Sequence, residues 1–159
     1  MRTAEDWFEL YGESHKNALN KAIHWVCIPL IVLSTLGLAQ AIPVPGATPW
    51  LHAGTAAVAL ALVFYARLSA TIFSGMAAVA GVCLGINGAM ENSGLPIGAI
   101  SAAIFLVAWV AQFVGHKIEG KKPSFFQDLQ FLLVGPAWLL QFVYKRVGVP
   151  VSRRAPATG

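Results

Sequence analysis

Charge is what this sequence has least of. Of its 159 residues, 11% are charged, against about 25% in soluble domains, while 57% are apolar against about 45–50%. Mean hydropathy is +0.65. A water-soluble chain of this length cannot bury that much apolar surface, so an ordinary soluble domain is excluded and an integral membrane protein is indicated. Cysteine is nearly absent. Cys27 and Cys83 both lie in apolar segments and lack metal-ligand spacing, which excludes a disulfide scaffold and leaves them as packing residues. There is no Gly-rich phosphate loop, no readable Ser-His-Asp order, no C-x-x-C-H haem attachment and no internal repeat. The first twenty residues are acidic and amphipathic, and no small-residue cleavage site follows a short apolar run. A cleaved signal peptide is therefore not expected, and the spans themselves direct insertion.

What is present reads as helices. In "AEDWFELYG", residues 4–12, Thr3 can cap the start, Glu5 and Asp6 suit the first turn, and the aromatic side suits a membrane surface. Gly12 and Ser14 permit a turn. A spanning helix needs about 20 mainly apolar residues. Four runs approach this: about 22–42, Trp50 to about Ala66, Leu68 to about Met90, and Ile97 to His116. Arg67 marks a tight hairpin between the second and third, because a charge at mid-bilayer costs about 3 kcal/mol or more. The Gly- and Ala-rich third run suits close helix packing. The last apolar stretch, "LQFLLVGPAWLLQFVYKR", carries Gly135-Pro136 at its centre. Proline removes an intrahelical hydrogen bond, so this is either a fifth span or a broken, re-entrant pair. The expectation is an all-α polytopic bundle: about four spans, an N-terminal interfacial helix and a Pro-broken C-terminal element. Residues 1–150 form one domain, and 151–159 form a basic, disordered tail.

The net charge of +4 belongs to this topology rather than to a nucleic-acid partner. With the N-terminus inside, Arg2, Lys16, Lys21, Arg67, Lys117, Lys121 and Lys122 all fall inside, and the outer loops carry only Glu91. If 128–144 crossed the bilayer, Lys145, Arg146, Arg153 and Arg154 would lie outside. If that segment is re-entrant, all eleven basic residues lie inside. The positive-inside rule favours the second arrangement.

The same topology sorts the histidines. His15, His24 and His116 lie at one membrane face, and His52 lies at the other, beside Trp50, as an interfacial anchor. His15 and His24 are nine residues apart, about 900° of helical rotation and half a turn out of phase, so a bend must separate them if they share a ligand. Asn17 can cap the helix that follows. Asn20 lies at i−4 from His24, Gln112 at i−4 from His116 and Glu119 at i+3 from it. Imidazole is a ligand for Fe, Zn, Cu and Ni, and three histidines with open positions suit a catalytic metal. Asn17, Asn20, Gln112 or Glu119 can orient the rings. The bland alternatives are interfacial histidines without a ligand, in a membrane assembly protein, or a lipid or haem carrier using His24 and His116.

Three stretches carry a resemblance. "HKNALNKAIHWVCIP" has the form H-x-N-x-x-N-x-x-x-H followed by proline. "WVAQFVGHKIEGKKP" has the form W-x-x-Q-F-x-G-H with a basic turn. "DLQFLLVGPAWLL" is Leu-rich with a central small-Pro step. In this order and spacing, from about Trp7 to Gly148, they resemble the small membrane family of Fe(II)-dependent 2-hydroxy fatty acid dioxygenases, whose yeast member acts in phytosphingosine breakdown. The resemblance implies Fe(II) on His15, His24 and His116, in the bacterial inner membrane. It also implies O₂-dependent cleavage of a 2-hydroxy fatty acid to a chain one carbon shorter. Lysines 16, 21, 117, 121 and 122 are candidates to attract the carboxylate. Glu119 is a candidate fourth ligand or acid–base group, or a partner of Lys122. The shorter turn after His116, and Gln141 where the yeast-type pattern has glutamate, mark a bacterial-type branch. Oligomeric state is not readable.

Overall fold

The computed structural model describes residues 2–46, 48, 51–124 and 130–151. Among these are six helices and no strand: α1 (Ala4–Gly12), α2 (Ala18–Gln40), α3 (Ala53–Leu68), α4 (Ala70–Asn92), α5 (Ile97–Glu119) and α6 (Phe131–Arg146). Trp50, expected to open the second span, and most of the expected basic tail lie outside the described residues.

Local chemistry sets the helix ends. Thr3 Oγ1 accepts from the Asp6 amide at 3.2 Å while Asp6 Oδ2 accepts from the Thr3 amide at 2.8 Å, a reciprocal cap on α1. Hydrogen bonds from the Thr3 amide and the Thr3 side chain hold the Asp6 carboxyl below the usual carboxylate range. Asn17 caps α2 through Oδ1, which accepts from Leu19 and Asn20 amides. His52 caps α3, its Nδ1 accepting from Gly54 at 3.1 Å. Ser69 ends α3 and begins α4 in an extended conformation, with Oγ accepting from Ile72 at 3.0 Å, so the hairpin beside Arg67 takes a single residue. Gly120 closes α5 at φ +73°, a left-handed position that favours glycine.

Helices α2, α4 and α5 have 23 residues each and are long and apolar enough to cross a membrane; α3 is apolar but shorter. Their outward faces carry Leu60, Val82, Leu106, Val107 and Val110. The main packing is α2 antiparallel against α5. Small residues let the backbones approach: a Cβ on Gly37 would strike Ser101, and one on Gly115 would strike Asn20. Between them Asn87 on α4 donates to the Leu33 carbonyl at 3.1 Å, so a buried amide in an apolar bundle is satisfied by main chain.

Two details differ from expectation. The aromatic side of α1 faces protein rather than a membrane surface: Trp7 meets Phe131 edge-on at 5.3 Å, and Tyr11 meets Trp138 at 5.2 Å. And Pro136 does not break α6, which runs unbroken over 16 residues. The proline cannot bond the Leu132 carbonyl, but the next carbonyl, Leu133, accepts from Tyr65 Oη at 2.9 Å. Gly135 leaves room for the Tyr11 hydroxyl. Tyr144 Oη in turn donates to Thr71 at 3.0 Å. Tyr65 and Thr71 belong to the last turn of α3 and the first turn of α4, which Ser69 joins. Both halves of α6 are thus fastened to one end of the bundle.

Candidate metal centre

The same end of the bundle holds three buried histidines. His24 lies in the second turn of α2 and His116 in the last turn of α5, brought together by the antiparallel packing. His15 arrives from the turn between α1 and α2. The bend that helical phase demanded is made there: Gly12 ends α1, and its carbonyl accepts from the His15 amide at 3.1 Å. Ring centroids are 4.4 Å apart for His15–His24, 4.9 Å for His15–His116 and 5.0 Å for His24–His116. One ligand atom from each lies within 4.8 Å of the others.

Hydrogen bonding fixes two tautomers. His15 Nδ1 is 2.5 Å from the Tyr11 carbonyl, and His24 Nδ1 is 2.9 Å from the Asn20 carbonyl. A carbonyl only accepts, so each Nδ1 carries the proton and each Nε2 presents a lone pair. Those two Nε2 atoms face one another at 3.0 Å. Burial pushes His15 down to about 3, so it is neutral at pH 7 and supplies no bridging proton. Two lone pairs at that distance repel unless a cation lies between them. Nitrogens bound to one metal at about 2.1 Å and at right angles would sit about 3 Å apart. His116 Nδ1 is buried with no hydrogen-bond partner. Three buried imidazoles, each with a ligand nitrogen within 4.8 Å of the others, therefore fit a divalent metal, and they can hold one.

The remaining sequence-selected residues surround this cluster in different ways. Asn17 touches no ring; it starts α2. Asn20 orients His24 through its carbonyl, while its side-chain amide donates to the Ser14 carbonyl at 3.3 Å and to Glu119 at 3.1 Å. Gln112 is buried beside His24 and lines the cavity described below. Both oxygens of Glu119 are engaged: Oε1 accepts from the Lys16 amide and Oε2 from the Asn17 amide, each at 2.8 Å. The carboxylate thereby clasps the end of α5 to the start of α2, where the helix dipole also favours an anion. Lys121 Nζ donates to the Glu13 carbonyl at 2.8 Å, whereas Lys16, Lys117 and Lys122 are exposed. Gln141, the departure in the third signature, is buried in α6. His52 lies at the opposite end of the bundle, and Cys27 and Cys83 are free thiols outside the cluster.

Sequence reasoning did not select Tyr11, whose carbonyl holds His15 and whose ring stacks on it at 4.1 Å and 15°. Its i−4 spacing from His15 was the available signal. Trp138 packs against both Tyr11 and His15, at 5.2 and 5.4 Å; nothing local links residues 123 positions apart. Beside His116, between α2, α5 and α6, lies a cavity of about 60 Å³. Ile28, Ile31, Phe113 and Leu132 give it apolar walls, and Gln112 and Ser124 give it polar groups.

No curated protein and no solved structure matches this chain. A family model described as 2-hydroxy-palmitic acid dioxygenase Mpo1-like matches residues 1–147, spanning all three histidines of the cluster, and the chain belongs to that Mpo1-like family.

Proposed function

We propose that the protein is an iron-dependent dioxygenase of fatty acid α-oxidation, converting a 2-hydroxy fatty acid and O₂ into a fatty acid one carbon shorter. The single observation that carries this reading is the pair of opposed Nε2 lone pairs at 3.0 Å beside the unpartnered Nδ1 of His116. His15, His24 and His116 hold the metal. When bound, Fe(II) supplies the one-electron chemistry that O₂ requires. The redox balance closes without another reductant. The C1–C2 bond breaks, C1 leaves as CO₂, C2 becomes the new carboxyl carbon, and O₂ takes four electrons, with one water formed.

The chain's own residues prepare that reaction. The Tyr11 and Asn20 carbonyls hold the rings so that their free nitrogens converge. Glu119 acts as a positioning residue, because its oxygens fix the loop that carries His15. The exposed lysines at this end attract a carboxylate to the membrane surface. Placing the N-terminus in the cytoplasm, in a bacterial inner membrane, puts Arg67 and the α5 lysines inside. The fastening of both halves of the unbroken α6 to that end supports an α6 that lies at that face and does not cross.

The test is elemental analysis of anaerobically purified protein, followed by turnover of 2-hydroxypalmitate. About one iron per chain is expected, with iron and activity lost together in His24→Ala and His116→Ala while the helical circular dichroism persists. Wild-type protein that carries no iron and turns over no 2-hydroxy acid defeats the reading.

A further inference from the structure

The cavity beside His116 carries a finer assignment, resting on the reading above. Ser124 lies just past the basic turn that follows α5. It is 4% exposed, its Oγ is buried without a hydrogen-bond partner, and it lines the cavity. A hydroxyl buried unpaired in a mostly apolar wall is costly and in native structures calls for an explanation, such as a ligand that completes it. Polar side chains in its lining, among them Gln112, His116 and Ser124, share the walls with Ile28, Phe113 and Leu132. A ligand fitting both must have a polar head and an apolar continuation.

Size and exposure say where that continuation goes. At about 60 Å³ the cavity has room for a head group of a few heavy atoms and not for a long acyl chain. Phe113 on α5 and Leu132 on α6 line it and are also 45% exposed each, on apolar helix surface. The Phe113–Leu132 side of the cavity therefore faces the apolar outer surface, whereas Glu119 and Lys121 bond to the loop that precedes α2.

We propose that Ser124 is a substrate-binding residue that holds the polar head of the 2-hydroxy acid beside the histidines, and that the acyl tail leaves between Phe113 and Leu132 into the bilayer. Recognition then rests on the head, and chain length matters little beyond the first carbons.

Binding is measured without turnover, using Fe(II)-loaded protein in lipid nanodiscs under anaerobic conditions with 2-hydroxypalmitate as the probe. Ser124→Ala is expected to weaken binding roughly tenfold, the effect of one hydrogen bond to a charged group. Iron content should stay unchanged, and Ser124→Thr, which keeps the hydroxyl, should restore affinity. A 2-hydroxy acid bearing a mid-chain diazirine is expected to label α5 and α6 around Phe113 and Leu132. Unchanged affinity in Ser124→Ala, or labelling confined to other helices, overturns the proposal while leaving an active wild type, and so the dioxygenase reading, intact. Wild-type protein that holds iron yet binds no 2-hydroxy acid overturns both. Should Ser124→Ala fail to fold, the labelling of wild-type protein still decides the tail path.

Discussion

At the residue scale, the centre depends on groups that are not ligands. Glu119 accepts three N–H donors, and replacing it with glutamine turns one acceptor into a donor facing a donor. Glu119→Gln is expected to lower metal affinity about 10- to 100-fold without touching a histidine, and to cost about 1–3 kcal/mol of stability. Metal titration and thermal unfolding in detergent would show it; wild-type values in both would remove Glu119 from the positioning role. Gly115 makes a second such case. A Cβ there would strike the Asn20 side chain, so Gly115→Val forces α2 and α5 apart where His24 and His116 must meet. A loss of about 1–3 kcal/mol is expected from overpacking, together with loss of bound metal. Retention of metal at wild-type stability would mean that the backbones have slack.

His15 gives a pH dependence. Burial holds it down to about 3, against an ordinary value of 6.5. The unfolded chain therefore takes up a proton below 6.5 that the folded chain refuses until about 3. Stability is full above 6.5 and is lost as pH falls through that window, by up to about 1.4 kcal/mol per pH unit for this histidine. A series of melting temperatures for metal-free protein between pH 8 and pH 4 checks this; a flat series would contradict it.

At the element scale, α6 is the instructive helix. Its Gly-Pro step reads as a break, because local chemistry alone offers the freed carbonyls nothing. The freed carbonyl is that of Leu132; tertiary structure adds a bond from Tyr65 to the next one, Leu133, and so fastens the proline turn of an unbroken α6 to α3. Tyr65→Phe is expected to remove this tertiary hydrogen bond at a cost of about 0.5–1.5 kcal/mol and to speed hydrogen exchange in α6 selectively. Exchange unchanged across Phe131–Arg146 would show that the hydroxyl is dispensable. The turns behave in the opposite way. Thr3 and Asn17 were legible as caps because a cap is satisfied within three residues. The aromatic side of α1 was not legible as an α6 contact, because Trp7 and Tyr11 suit lipid and protein equally well.

At the scale of the whole molecule, charge asymmetry and the fastening of α6 make the same prediction: a C-terminal reporter should read cytoplasmic, on the side of the N-terminus. A reporter that reads outside would require α6 to cross, and would strand Lys145 and Arg146 on the far face.

Composition and the lengths of the apolar runs by themselves pointed to helices long and apolar enough to cross a membrane, since 57% apolar residues with so little charge leave few other solutions. Loop charge and helical phase also determined that His15, His24 and His116 share one end, that His52 does not, and that a bend must separate the first two. Only the tertiary structure decided which atoms face inward. The tautomers of His15 and His24 follow from carbonyls placed by α1 and α2, the clasp of Glu119 spans about a hundred residues, and the unpaired hydroxyl of Ser124 has meaning only inside a cavity walled by three helices. The physical reason is range. Hydrophobicity, capping and charge act on neighbours in sequence and can be read there, whereas lone-pair direction and buried polar accounting depend on groups that meet only when α2, α5 and α6 pack.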